Sequence, residues 1–539
     1  MSAITLSRHT IRSSTAAPIV GLIVAAGLAL RLYAIGAKSL WIDESFSIWM
    51  AAQPLAAIWR DTVQLDQHPP LYYTLLHFWM AFGDGEAVVR GFSALWGVLA
   101  LPVIYLIGKR IGSRALGLLA ALILALSPLH ISFAQNTRMY TMLTFNAGMA
   151  LLCLLHLLQE SGVRSQESGD RKPVLDPQPS ILDPRSSIFY PLSSILYPRR
   201  YWLGFVLFTT LTMLSHNTAI FFPVAVGLFL AGALGLPALA RRPRGQVERA
   251  RTAQVLSLSL GLGLALLLWL PWLPSYLIQS RRVYNEFWIQ PPTLGSVLTH
   301  WRDLGSAFGP GGRYLVPLVL AFAGLALLGA WSLRRRPAVL ALLLLLLLVP
   351  FAGELLVSIR RPIFYTRTLI WTSIPLYVLM AAGLLQLRFR PLIVVATLAL
   401  ALLNATSLVG YFRYYEPEDW RSTAGYVASQ LRPGDVLLFN AGWMQIPFDY
   451  YYRRVGSPGE EHGVPADMFE RGILEPKMTT ADISHLAALI DGRPRVWLLY
   501  SHNWYTDPQS IIPRYLGSTL GQARTRDFKG IKVYLYERR

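Results

Sequence analysis

Residues 17–45 read APIVGLIVAAGLALRLYAIGAKSLWIDES. Up to about residue 35 the run is apolar apart from Arg31, and a helix needs roughly 20 such residues to cross the hydrocarbon of a bilayer. Two adjacent carboxylates, Asp43 and Glu44, follow almost at once. A charged pair directly behind a spanning segment points to a membrane protein whose polar chemistry sits at the boundary. Arg8 and Arg12 precede the run and place the N-terminus in the cytoplasm. No small-residue cleavage site follows, so the segment reads as an uncleaved anchor.

Comparable runs recur along the chain. The hydropathy pattern predicts spans near 17–35, 86–108, 115–134, 138–158, 201–216, 218–239, 254–278, 314–333, 337–357, 367–387 and 391–412, about 11 transmembrane helices in all. The stretch from 201 to 239 is too long for one span, and Ser215-His216-Asn217 is its expected turn. Composition agrees: the chain is 53% hydrophobic and 15% charged, against about 25% charged in soluble domains. A single cysteine, Cys153, excludes an intrachain disulfide and a cysteine-rich metal site.

The net charge of +19 is unevenly placed. Residues 1–415 carry 34 Lys+Arg against 15 Asp+Glu, whereas residues 416–539 carry 15 of each. The excess therefore belongs to membrane topology and the lipid boundary, and no nucleic-acid partner is expected. Basic clusters at 109–114, 164–200, 241–251, 334–336 and 388–390 fall on one side when the N-terminus is cytoplasmic. An odd span count then puts residues 416–539 outside the cytoplasm. The expected domains are 1–415, a multi-pass unit of the plasma membrane, and 416–539, a small extracytoplasmic α/β domain. In the latter, 435–441, 495–501 and 531–537 read as strands, 420–431 and 480–490 as helices, and Asp507-Pro508 as a helix start.

Residues 160–200 form a low-complexity cytoplasmic insertion. From 174 it reads VLDPQPS, ILDPRSS, IFYPLSS, ILYPRR. Proline in the fourth place of every unit rules out a continuous helix, so an extended insertion is expected.

Several basic residues lie where the positive-inside rule would thin them, among them Arg138, Arg361 and Arg367. Guanidinium groups bind two phosphate oxygens at once. A lipid phosphate at the outer boundary would account for them. The first outer loop carries Trp41-Ile42-Asp43-Glu44-Ser45, then Asp66-Gln67-His68-Pro69-Pro70-Leu71-Tyr72-Tyr73. The carboxylates suit acid/base work, a divalent cation, or simply the N-terminus of an interfacial helix. The Pro-Pro pair starts a juxtamembrane helix reaching about residue 82, expected to lie on the surface with His68 at its head. Gln135-Asn136-Thr137-Arg138-Met139-Tyr140, Ser215-His216-Asn217 and the segment 360–367, with Tyr365, all fall at outer turns. Glu354 sits in the outer half of a span, where an unpaired acid is costly, and should pair with a nearby arginine. Asp66, Tyr72, His216, Glu354 and Tyr365 are thus candidates for an acceptor site or pocket wall.

The acid pair after the first span, the Asp66-x-His68-Pro-Pro-Leu motif and the Arg138-Met-Tyr140 turn together resemble the GT-C membrane glycosyltransferases, in particular the protein O-mannosyltransferase-like group. The resemblance is strongest over residues 30–145. It implies a polyprenyl-phosphate sugar as donor and an extracytoplasmic acceptor: a protein, a glycolipid or a cell-wall polymer. By that resemblance Asp43 is the general base, and Glu44 shapes the same site. His68, Arg138 and Tyr140 face the donor phosphate, with Arg361 and Arg367 assigned there from a region of looser pattern. Members of the group differ in metal use; a divalent cation, if one binds, would take Asp43 and Glu44.

The chemistry is coherent. Breaking a sugar–phosphate bond builds negative charge on the phosphate, which fixed cations stabilise, while a carboxylate takes the proton of the attacking group. Two other classes fit the composition. A lipid or polysaccharide transporter would place polar residues at mid-bilayer and show repeats, but the charges here gather at one boundary. A non-catalytic scaffold would tolerate loss of Asp43.

Overall fold

The computed structural model describes residues 13–167, 199–235, 246–285, 289–387, 389–455, 459–468, 470 and 476–538. The proline repeat at 174–198 lies outside them. The protein is a mostly helical bundle capped at one end by a small mixed sheet.

Among the described residues, seven helices are long and apolar enough to cross a membrane: Thr15–Leu32, Glu86–Ile111, Tyr140–Leu158, Thr252–Arg282, Gly312–Ser332, Pro337–Ser358 and Arg390–Arg413. Arg114–Leu126 and Pro128–Ala134 make an eighth candidate, bent by 59°. The bend has a local cause. Ser127 accepts from His130 N at 3.4 Å, and Pro128 opens a new helix behind that cap.

The other expected segments at 201–216, 218–239 and 367–387 contain the shorter helices Arg199–Ser215, Phe221–Phe229 and Ser373–Leu384, and the expected turn at 215–217 separates the first two. At the other expected insertion boundary, the helix Tyr140–Glu167 runs into the residues assigned to it.

Ser373–Leu384 is buried at every residue. It crosses Leu315–Ser332 so closely that a Cβ on Gly329 would lie 1.9 Å from Leu379 O, and one on Gly383 would lie 2.0 Å from Leu325 O. Only glycine fits at either position, the small-residue contact common between membrane helices.

After α1 (Ser13–Leu32), the first loop forms three short helices: α2 (Ile42–Ala51), α3 (Leu55–Leu65) and α4 (Leu71–Trp79). Asp43 and Glu44 occupy the first turn of α2, where the exposed N–H groups favour acids. Pro70 caps α4 as expected, but α4 does not simply lie on the surface: Tyr72, Tyr73 and Leu76 are fully buried. Their one-sided apolar face packs under the loop.

The sheet runs β2-β1-β3-β5-β4, with β1 (Val436–Asn440), β2 (Glu460–Gly463) and β3 (Arg495–Tyr500) parallel. β4 (Arg524–Phe528) and β5 (Ile531–Glu537) form an antiparallel pair, and β5 also runs antiparallel to β3. Three strands match the expected segments. The edge strands β2 and β4 escaped notice because EEHG and RTRDF carry no apolar pattern. Asp507 does cap a helix, but from a distance: Ile511 N and Ile512 N donate to its carboxylate at 2.7 and 3.0 Å, and the helix begins at Ile511 rather than Pro508.

The sheet end docks on the first loop. Leu40 N donates to Tyr451 Oη at 2.8 Å, Arg421 pairs with Glu86 at 2.8 Å, and the Trp443 ring packs 5.6 Å from that of Phe46.

Candidate active site

Asp43 and Glu44 are neighbours in α2 with opposite fates. Asp43 stays partly exposed and accepts from Arg367 Nη1 through Oδ2 at 2.8 Å. Glu44 is buried and takes a two-pronged contact from Arg90 Nε at 2.8 Å and Nη2 at 2.7 Å. Thr137 N adds a third donor at 2.9 Å. Arg90 also donates to the carbonyls of Ile35, Lys38 and Ser39. Glu44 thus joins the loop behind the first span to the turn at residue 137. Removing either partner would strand a buried charge.

A second polar group gathers at the head of α4. His68 Nδ1 lies 2.9 Å from Asp66 Oδ1, and Tyr73 donates its hydroxyl to Asp66 Oδ2. Arg138 reaches Ser47 Oγ at 3.2 Å, Tyr73 Oη at 3.1 Å, and the His68 ring at Nδ1 (3.2 Å) and Nε2 (3.5 Å). Burial opposes ionisation of Asp66, but His68, Arg138 and Tyr73 outweigh it and hold the carboxyl well below its ordinary range. His68 Nδ1 therefore faces both the Asp66 carboxylate, which accepts only, and the Arg138 guanidinium, which donates only. Burial is the largest influence on His68 and, with Arg138 and Arg367 nearby, lowers its pKa despite Asp66. The imidazole sits between Asp66 and Arg138.

These residues line one cavity of about 450 Å³. Asp43, Asp66, His68, Arg138, Tyr140, His216, Arg361 and Arg367 all reach it, and Phe221, Leu277, Val357 and Ile363 form an apolar wall. Four expected residues do not. Glu44 and Tyr365 face a second cavity of about 660 Å³, which also holds Lys38, Trp41, Arg90, Asn136, Arg302, Asp303, Tyr411 and Tyr415. Tyr72 is buried behind the wall against Ser93 Oγ at 2.8 Å. Glu354 is buried and accepts from Thr368 Oγ1 at 2.7 Å, rather than pairing with an arginine. Arg367 lines both cavities.

Sequence reasoning missed several members. Trp443 and Tyr505 reach the smaller cavity from the sheet end. Gln279 and Asn217 brace its floor: Asn217 Nδ2 donates to Gln67 O and to Gln279 Oε1, both at 2.7 Å, and Gln279 Nε2 donates to Thr62 O at 2.9 Å. Asn217 sat beside a noted histidine, but nothing local marked the others.

Asp43 and Glu44 do not fit a divalent-cation site as arranged. Each already faces a guanidinium, so a dication would meet two fixed positive charges. Among the described residues no group of three His, Cys, Asp or Glu gathers where a metal could sit. No step below runs through one.

Residues 67–165 match the family of dolichyl-phosphate-mannose-protein mannosyltransferases. The solved structure of ArnT from Cupriavidus metallidurans in the apo state aligns with a TM-score of 0.59 at 16% identity, covering 96% of this chain and 98% of that one. The same protein bound to undecaprenyl phosphate aligns with a TM-score of 0.56 at 15% identity, covering 96% and 97%. The Archaeoglobus fulgidus oligosaccharyltransferase tethered to an acceptor peptide gives 0.54 at 11%, covering 97% of this chain and 74% of its own. A search of curated protein sequences finds no match. The family match covers residues 67–165, and over nearly its whole length the chain shares the fold of these membrane proteins, ArnT among them.

Proposed function

We propose that this protein transfers a sugar from a polyprenyl-phosphate donor to an acceptor outside the cytoplasm, by a single inverting displacement. One observation carries the reading: Asp43 shares a cavity with Arg138, Arg361 and Arg367, and the same cavity has an apolar lining. An isoprenoid chain suits that lining, and its phosphate suits the guanidinium groups. The acceptor oxygen attacks the anomeric carbon, the carbon–oxygen bond to phosphate breaks, and Asp43 takes the acceptor's proton. The departing phosphate keeps the bonding electrons, and Arg138 and Arg367 stabilise the charge that grows there. His68, held by Asp66, orients Arg138. Glu44 is architectural.

The larger cavity, joined to the first at Arg367, suits the acceptor. Its rings and polar groups offer stacking and hydrogen bonds. The sheet end docks on the loop that bears Asp43, so both occupy one membrane face, which we assign to the extracytoplasmic side. A reporter fused after residue 539 would be active only there.

The deciding assay is transfer from a polyprenyl-phosphate sugar by the purified full chain in detergent. Comparing the masses of surface glycolipids and glycoproteins with and without the gene would identify the acceptor. A protein that moves intact lipid across the bilayer without cleaving the sugar–phosphate bond would be a transporter, and this reading would fail.

A further inference from the structure

The turn at residues 215–217 is built as a unit. Ser215 Oγ accepts from Asn146 Nδ2 at 3.1 Å, and Asn217 is tied to Gln67 and Gln279. Between them His216 is 4% exposed and lines the cavity that holds Asp43. Thr218 N donates to His216 Nδ1 at 3.2 Å. A backbone N–H can only donate, so Nδ1 is the acceptor and the ring hydrogen must sit on Nε2. That Nε2–H has no hydrogen-bond partner among the described residues. A buried donor left unmatched is costly, and the ring that carries it lines the cavity beside His68, whose ring centre is 4.9 Å away.

We propose that His216 Nε2–H is a fixed neutral donor to a phosphate oxygen of the polyprenyl-phosphate sugar. The inference rests on the transferase reading and adds to it a donor-binding residue with a defined tautomer. The neighbours favour this ligand. Asp43 and Asp66 already accept from Arg367 and from His68 and Tyr73, and Arg138 lies against the His68 ring. The remaining need is for an acceptor, which an incoming anion supplies. Burial, reinforced by His68, Arg138 and Arg367, lowers the His216 pKa well below its ordinary value, so the ring stays neutral and its tautomer is not scrambled by protonation. A neutral donor complements the arginines in kind: it fixes the orientation of the phosphate without adding charge to a site that already has several cations.

The test measures binding of polyprenyl phosphate and of polyprenol, the same chain without phosphate, to the detergent-purified full chain. Hydrogen bonds to charged groups are strong enough for roughly tenfold in affinity. His216→Phe keeps the ring and removes the donor, so it should weaken polyprenyl phosphate about tenfold and leave polyprenol unchanged. His216→Gln returns an amide N–H and should recover most of the loss. Equal weakening of both ligands would mark His216 as a packing residue and overturn the proposal, as would unchanged phosphate binding in His216→Phe. A wild-type protein that does not prefer polyprenyl phosphate over polyprenol would overturn the transferase reading itself. A folded His216→Phe with wild-type preference would overturn only the role of His216.

Discussion

The two cavities that meet at Arg367 are built to different plans. The smaller one has an apolar wall, three arginines and two carboxylates, the half-buried Asp43 and an Asp66 held by His68 and Tyr73. The larger one is ringed by Trp41, Phe308, Tyr411 and Tyr415; of its two carboxylates, Asp303 pairs with Arg302 and Glu44 is locked to Arg90. Asp43 and Glu44 are consecutive in the sequence, but successive side chains on a helix point about 100° apart. One faces a site that needs a base, and the other faces a joint that needs a clasp. Adjacency in sequence is therefore a poor guide to shared chemistry on a helix.

Substitution at the two acids should separate them. Asp43→Asn keeps shape and removes charge, and should lower turnover by roughly 10²–10⁴-fold while polyprenyl-phosphate binding persists. Wild-type turnover in that variant would remove Asp43 from the mechanism. Arg138→Ala should weaken both donor binding and turnover, by roughly 10- to 100-fold, because it loses a phosphate contact and the brace to Tyr73. A loss confined to turnover, read from parallel binding and rate measurements, would argue against a phosphate contact. Glu44→Gln should instead act on the fold. It leaves Arg90 buried without its counter-charge, so the melting temperature should drop by several degrees. Turnover per folded molecule should stay close to wild type.

The cavities should also differ in their response to pH. Burial, with Arg90 nearby, pushes Lys38 down to about 8, so the larger cavity loses a positive charge as pH rises through that value. The acceptor KM should rise a few-fold between about pH 7 and 9, and Lys38→Arg should flatten the rise. The donor KM should not follow, because guanidinium groups stay charged throughout. A parallel rise in both would mean that the cavities share one titrating group. The smallest effect expected is that of deleting residues 174–198: transfer activity should remain within about twofold, since a proline-broken repeat offers no packed face. A folded, inserted deletion that lost activity would give the repeat a role in one cavity or the other.

Much of this was legible from local pattern. Spans, the acid pair, the HPP motif and the Arg138 turn are short-range signals, and together they pointed to the fold class and to eight of the residues that gather in the smaller cavity, though not to the separate place of Glu44. What stayed hidden depends on distance. The pairing of Glu44 with Arg90 joins positions 46 residues apart. Gln279 meets Thr62 across 217 residues, and Trp443 reaches the site from a sheet with no motif of its own. Hydropathy marks how apolar a stretch is, whereas the full enclosure of Ser373–Leu384 depends on its neighbours.

The glycine crossing at Gly329 and Gly383 has a bearing on this end of the molecule that its position conceals. Gly383 lies near the far end of Ser373–Leu384, a helix of 12 residues and about 18 Å. The segment that leads into the near end of that helix carries Arg367. A methyl group at Gly383 cannot be absorbed by a backbone oxygen 2.0 Å away, so the crossing has to open, and a shift of the helix is expected to carry the segment that bears the guanidinium touching both cavities. Gly383→Ala, remote from any substrate, would be read out as a change in the spacing between Asp43 and its partner.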